Sequence, residues 1–295
     1  MSIDKLINIL VTITLLEMMV AIGLGVTIPQ IAAVAKDRQL LVRALISNYL
    51  AVPIAVLGLL LAFHAPTMVG VGLLIAAVCP GAPYGPPFTG MARGNVAVAV
   101  GLMVILAGSS AVLAPLLLHF LLPIIAGNGP LKVNAAKIVS TLLIAQLLPL
   151  SAGLALRAKK ADLAAKVENP AKKLSTLLNL TVFGFIVYPK WHMLTSISAR
   201  GFFGMLLIAL ATLIVGWLFG GSDVETRRAM AASTSVRNVG VALVIATGSF
   251  AGTQAVTSAL AYAIFQTILL ALLVMVWGKT IPVRESSAGV NAALT

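Results

Sequence analysis

Nine stretches of about 20 or more mostly apolar residues follow one another along this chain. They run roughly over 6–35, 40–62, 67–91, 95–123, 134–157, 173–194, 199–220, 226–250 and 253–279. A helix needs about 20 such residues to cross the hydrocarbon core of a bilayer. The connections are too short to hold a separate soluble domain. Composition agrees: 9% of the residues are charged, against about 25% in a soluble domain, so the chain lacks the polar atoms to cover a water-facing surface. A cytosolic enzyme, a disordered tail and a coiled coil are excluded. The expectation is an all-α integral membrane protein with about nine transmembrane helices, one domain over 1–295. The first segment is too long for a signal-peptide core and has no A-x-A-like site at its end, so it reads as a retained span.

Charge then sets the orientation. With the N-terminus outside, the inside ends collect Lys36, Arg38, Arg43, Arg93, Arg157, Lys159, Lys160, Lys166, Lys172, Lys173, Arg227, Arg228, Lys279 and Arg284. The outside keeps Lys5, Lys132, Lys137, Lys190 and Arg200, and Arg237 falls within a span. Fourteen against five is the asymmetry that cytoplasmic loops of a cell (inner) membrane protein carry. The formal net charge of +12 therefore reflects topology and anionic headgroups, and no nucleic-acid partner is expected. The lipid bilayer is the expected partner, the C-terminus is expected in the cytoplasm, and the stretch from Arg157 to Lys173 is read as a cytoplasmic loop.

Two segments are interrupted by residues that a lipid-facing helix does not carry. CPGAPYGPP spans 79–87 in the third segment and STSVRN spans 233–238 in the eighth. Proline removes amide donors and glycine allows close approach to the backbone. Irregular backbone at membrane depth survives only inside protein or along a wet cavity, and a pair of interrupted helices at corresponding positions points to a transporter site.

At these residues the chain resembles the bile acid:sodium symporter family. CPGAPYGPPFTGMARGN, 79–95, is similar to a pattern reading C-P-G-G-x-x-S-N through A-R-G-[ND], with no gap between Cys79 and Asn95. STSVRNVGVALVIA, 233–246, is similar to E-V-G-x-Q-N-x-G-L-A, and the run from Ile22-Gly23-Leu24 to Asn48-Tyr49-Leu50-Ala51-Val52-Pro53 resembles M-G-L through Q-F-x-x-M-P. The resemblance implies two inverted repeats, about 6–123 and 134–279, forming core and panel bundles, with the two broken helices crossing near the midplane and 280–295 as a cytoplasmic tail. Members of that family move organic anions, often with sodium; its ten-span members have one more N-terminal helix.

The departures are specific. Gly85 and Pro86 stand where the family has Ser-Asn, Ser233 where it has a sodium-binding Glu, Arg237 where it has Gln, and Asn48 where it has the Gln before F-x-x-M-P. Its hydroxyl ligands on the fourth segment fall at Ala99 and Met103, and a slip of register brings Ser109 or Ser110 into place. Hard cations want several oxygen ligands; family-type sodium sites are therefore not expected, and any sodium would have to use Ser109, Ser110 and Ser233.

Arg237 is the sharpest residue, because a mid-span arginine costs at least about 2.5 kcal/mol unless it faces an interior, partner or cavity. It reads as a built-in cation at the crossover, or as the fork that binds a substrate carboxylate or sulfonate; the bland reading is a clamp on the unwound helix. The expected substrate lining is Asn48, Gly81, Ala82, Pro83, Tyr84, Gly85, Pro86, Ser233, Thr234, Ser235, Arg237 and Asn238. Glu17, the one acid well inside a span, is a candidate proton carrier or an acid near the outer mouth. Cys79 reads as an apolar filler, and His64, His119 and His192 as interface residues. One cysteine, and no H-E-x-x-H, G-x-S-x-G or P-loop pattern, leave no expectation of an enzyme, a metal centre or a cofactor. The function read from the sequence is a secondary transporter of a small organic anion by alternating access, as a uniporter, exchanger or proton-linked carrier. The alternatives are a sodium-coupled symporter with unconventional ligands and a non-transporting membrane sensor or assembly protein.

Overall fold

The computed structural model describes residues 3–126, 134–188, 191–192 and 197–280, which form helices and short connections with no strand among them. The tail from 281 onward, with Arg284 and Glu285, and the outer lysines Lys132 and Lys190 lie outside the described residues. Seven helical stretches are long and apolar enough to cross a membrane: Lys5–Gly25, Arg38–Ala62, Val96–Ala126, Ala135–Lys159, Ala199–Phe219, Val224–Ser249 and Gln254–Gly278. The fold is all-α and membrane-embedded.

The expected segment 6–35 is two helices, α1 (Ile3–Gly25) and α2 (Ile28–Lys36). Thr27 stops the first and starts the second: its N–H donates to Gln30 Oε1 at 2.8 Å, and Pro29 sits in the first turn, where a missing amide costs nothing. Two spans carry a π-helical turn just before a proline. In the first, α3 (Arg38–Ile46) passes through Ser47–Ala51 into α4 (Val52–Ala62). Val52 N–H reaches back to Ser47 O, which widens the turn ahead of Pro53.

The third expected segment splits into α5 (Thr67–Ala77) and α6 (Gly85–Met91). It is followed by α7 (Val96–Ala126), which stays helical through Pro115 and Pro123. The span from α8 (Ala135–Leu142) to α9 (Leu148–Lys159) contains the second π-turn, Leu143–Leu147, ahead of Pro149. The stretch 157–173, expected as a loop, is helical apart from Lys160: α10 runs from Ala161 to Val187. Alanine, leucine, lysine and glutamate favour helix whatever their solubility, and Glu168 ties the turn together with Lys172 at 2.5 Å and Arg157 at 3.7 Å. The remaining helices are α11 (Ala199–Phe219), α12 (Val224–Ser235), α13 (Val239–Ser249) and α14 (Gln254–Thr280).

Small residues let these helices touch backbone to backbone, as membrane helices do without a hydrophobic force between them. A Cβ on Gly23 of α1 would stand 2.4 Å from Leu150 O of α9, and one on Gly72 of α5 would stand 2.2 Å from Ala255 O of α14. So α1 packs with α9 and α10, and α5 with α14. At one end of the bundle Arg228 Nη1 donates to Arg93 O at 3.0 Å, Asn95 N–H donates to Glu225 O at 3.0 Å, and Arg227 Nε donates to Gly221 O. Arg93, Arg227 and Arg228, three of the basic residues counted on one side by sequence, thus lie together at one end.

Candidate functional site

The unwound segments that join α5 to α6 and α12 to α13 meet each other. Val236 is the C-cap of α12 and Asn238 the N-cap of α13, so only Arg237 lies between the two caps. Asn238 secures the crossing twice and caps its own helix once. Its N–H donates to Cys79 O at 2.7 Å, its Nδ2 donates to Gly81 O at 3.2 Å, and its Oδ1 accepts from Val241 N–H at 3.2 Å. Gly81 adopts φ +82°, a left-handed conformation that costs little only for glycine. It also lies against the backbone of α7, where its Cβ would stand 2.3 Å from Ala107 N.

Arg237 is 1% exposed. Its main chain is held by Gln266 of α14, which accepts from Arg237 N–H at 3.2 Å and donates to Arg237 O at 3.3 Å. Its guanidinium is held by Nη1, which donates to Asn48 Oδ1 at 3.0 Å. Asn48 sits on the first π-turn and donates to Ala44 O at 3.0 Å and Thr234 Oγ1 at 3.2 Å. Nε and Nη2 of Arg237 and Oγ of Ser233 are buried without a hydrogen-bond partner among the described residues. No carboxylate among those residues lies within salt-bridge reach of the guanidinium. The two partnerless nitrogens form one edge of the planar fork, the edge that meets a carboxylate through two parallel hydrogen bonds.

Of the twelve lining residues expected, Asn48, Thr234 and Arg237 are hydrogen-bonded to one another, and the adjacent Asn238 is hydrogen-bonded to Gly81. Gly85 faces Ser233: a Cβ on it would stand 3.5 Å from Ser233 Oγ. Ala82 packs with Phe88, Ala232 and Val236, and Pro86 is buried. Ser235 bonds back to Ala231 O of its own helix. Pro83 is half-buried and Tyr84 is 41% exposed, so the tyrosine faces the surface. The cavity touching the crossing beside Ser235 and Gln266 measures about 10 Å³, room for one water; the network is closed around Arg237.

Ser109, Ser110 and Ser233 each have different neighbours. Tyr49 OH lies 2.8 Å from Ser109 Oγ, Gln146 Nε2 donates to Ser110 Oγ at 2.9 Å, and Ser233 faces Gly85. Glu17 accepts from Ser175 of α10 through Oε2, while Oε1 has no partner among the described residues. Sequence reasoning missed Gln266, Gln146 and the two π-turns. Lone amides in apolar spans were the available signal, since polar groups are rare at that depth.

An all-helical membrane bundle with two broken helices bonded across their breaks, and a buried cation between them, defines a carrier-type integral membrane protein. Residues 12–197 match the sodium bile acid symporter family. That is well over half of the chain, which therefore belongs to this family. The matched stretch includes Asn48 and the α5–α6 break but ends before Arg237. A relative in Bacillus subtilis (strain 168), named "Uncharacterized sodium-dependent transporter YocS", is 24% identical over 293 residues, covering 94% of this chain and 86% of the relative.

Proposed function

We propose that this protein is a secondary carrier for a small organic anion, working by alternating access with Arg237 as the fixed cation of the site. The observation that carries the reading is the guanidinium edge: Nε and Nη2 are buried with no partner among the described residues, and Nη1 is tied to Asn48 Oδ1. A buried charge without a counter-charge costs several kcal/mol. A carboxylate or sulfonate docked on that edge removes the cost, so the empty site favours an anion. Ser233 Oγ, Thr234 and the first amides of α13 supply further donors, the last through a helix N-terminus; α6 adds none, since Pro86 and Pro87 carry no N–H and Gly85 N–H is bonded to Ala82 O. The site in this conformation has no room for an organic anion, so binding requires the two broken helices and α14 to part.

In this reading the nine segments form two inverted repeats, about 6–123 and 134–279, and the basic end faces the cytoplasm with the N-terminus outside. Arg237 stays in the site after release and supplies the positive charge that sodium supplies elsewhere, so that the empty carrier returns without an ion. A second reading, sodium coupling, is favoured by the relative's printed name and requires ligands other than the family's Glu and Ser-Asn pair, with Ser109, Ser110 and Ser233 as the hydroxyls on offer. Counterflow of labelled short-chain carboxylates in proteoliposomes separates the two. Equal counterflow in potassium and in sodium, abolished in Arg237→Gln, supports the fixed cation; counterflow only in sodium replaces it with the second reading.

A further inference from the structure

A second cavity lies at the far end of the bundle from Arg43, Arg93 and Arg228, distinct from the crossover. It measures about 490 Å³ and is lined by the end of α4, the connection to α5, and the first turns of α5, α11 and α14. That volume falls in the range of small-molecule sites, about 300–1,000 Å³. Its inner wall is mostly apolar, formed by Leu60, Val69, Leu73, Met205, Ile208 and Ala261, with the hydroxyls of Thr257 and Ser258 on the α14 side. From Pro66 to Leu73 the wall of α5 descends seven residues, about 10 Å at 1.5 Å per residue.

The mouth is cationic. Arg200 supplies the charge, with the imidazole of His64 beside it; among the described residues no aspartate or glutamate lines the mouth, and the guanidinium of Arg200 is pinned by one donor to Phe63 O while the residue stays exposed. Three helices, α5, α11 and α14, begin at this mouth, so their positive ends reinforce the charge of Arg200. A mostly apolar shaft under a positively charged rim complements one kind of ligand: a single anionic head on an apolar body.

We propose that this cavity is a second binding site, for a freely diffusing amphipathic monoanion of the medium-chain carboxylate type, with its head on Arg200 and its chain along α5 and α14. A ligand there touches the two helices that reach the crossover, α5 ending at the break and α14 carrying Gln266. The site uses residues apart from the Arg237 network and stands without the crossover reading.

Gly204 provides a clean test, because it lines the cavity and a Cβ on it meets nothing within 4 Å, so a larger side chain there enters the cavity without moving backbone. Binding of radiolabelled decanoate is measured by scintillation proximity on the full chain in phosphatidylcholine nanodiscs, with protection from thermal unfolding as the parallel readout. Arg200→Gln removes a charge-assisted hydrogen bond and is expected to raise Kd about tenfold. Gly204→Phe is expected to abolish binding, decanol to compete poorly, and Arg237→Gln to bind as the native chain does. Native affinity in both cavity variants overturns the site. Loss of binding in Arg237→Gln alone assigns decanoate to the crossover instead, and displacement of decanoate by phosphatidylglycerol in the nanodisc assigns the cavity to a lipid; either result overturns the proposal.

Discussion

Replacing Gly81 by alanine tests the geometry of the crossing more sharply than any polar substitution. The residue holds φ +82°, and a non-glycine side chain in that region costs roughly 1–2 kcal/mol. The new Cβ would also lie 2.3 Å from Ala107 N, 2.7 Å from Ala107 Cα and 2.8 Å from Met103 O. All three are backbone atoms of α7, and α7 cannot retreat freely. Tyr49 OH donates to Leu106 O at 2.8 Å, and Gln146 Nε2 donates to Ala107 O from the opposite π-turn. Overfilling so rigid a site costs about 1–3 kcal/mol, which brings the total to about 2–5 kcal/mol. Gly81 O, displaced, would also lose the Asn238 side chain. Gly85→Ala, in the same motif, is the control, since its Cβ meets only Ser233 at 3.5 Å or beyond. Thermal unfolding of the detergent-purified variants, with monodispersity by size exclusion, reads the difference. Equal thermal stability for Gly81→Ala and Gly85→Ala would refute the described contact between the broken helix and α7.

Three further outcomes follow from named contacts. Asn48→Asp puts a carboxylate beside Arg237 Nη1, now 3.0 Å from Asn48 Oδ1, and is expected to weaken anion binding at least about tenfold, the equivalent of 1.4 kcal/mol; unchanged affinity in a thermal-shift titration counts against an anion on the guanidinium. Gln266→Leu strips both main-chain bonds from Arg237 and leaves two buried groups unsatisfied at about 1–3 kcal/mol each, so the melting temperature falls by several degrees; a Tm within one degree of the native value shows that the pairing contributes nothing. Glu17→Gln keeps a partner for Ser175, and no hydrogen bond links Glu17 to the Arg237 network, so its stability change stays within about 0.5 kcal/mol and counterflow is preserved. Proton-gradient-driven uptake that this variant abolishes would assign Glu17 as a proton carrier.

The two breaks were legible because their signal is local. Prolines and glycines at 80–87 and the polar run 233–238 cannot continue a lipid-facing helix, and the structure breaks both segments there. The split at Thr27 was equally local, with a capping residue and Pro29 in view, but it lay inside an apolar run and was read through. The charged stretch 161–173 misled in the other direction: its solubility was taken for a loop, although its residues are strong helix formers. What sequence could not supply is pairing across distance. That Gln266 holds the main chain of Arg237, that Asn48 takes one guanidinium nitrogen and leaves the opposite edge of the fork, and that Tyr84 turns to the surface while Gly81 turns to α7 all depend on tertiary placement. The π-turns follow from Pro53 and Pro149, yet proline alone does not choose between a kink and a widened turn.

The central claim is that Arg237 is the cation that binds the carried anion, and thermal stabilisation tests it directly. The purified chain and Arg237→Gln are heated with a panel of organic carboxylates and sulfonates, once in sodium chloride and once in potassium chloride. A ligand that binds only the folded state stabilises it by about 2.7 kcal/mol at a concentration one hundred times its Kd. The account predicts the same upward shift in both salts, absent in Arg237→Gln although that variant remains folded. A shift that persists undiminished in Arg237→Gln, or one that occurs in sodium alone, contradicts it.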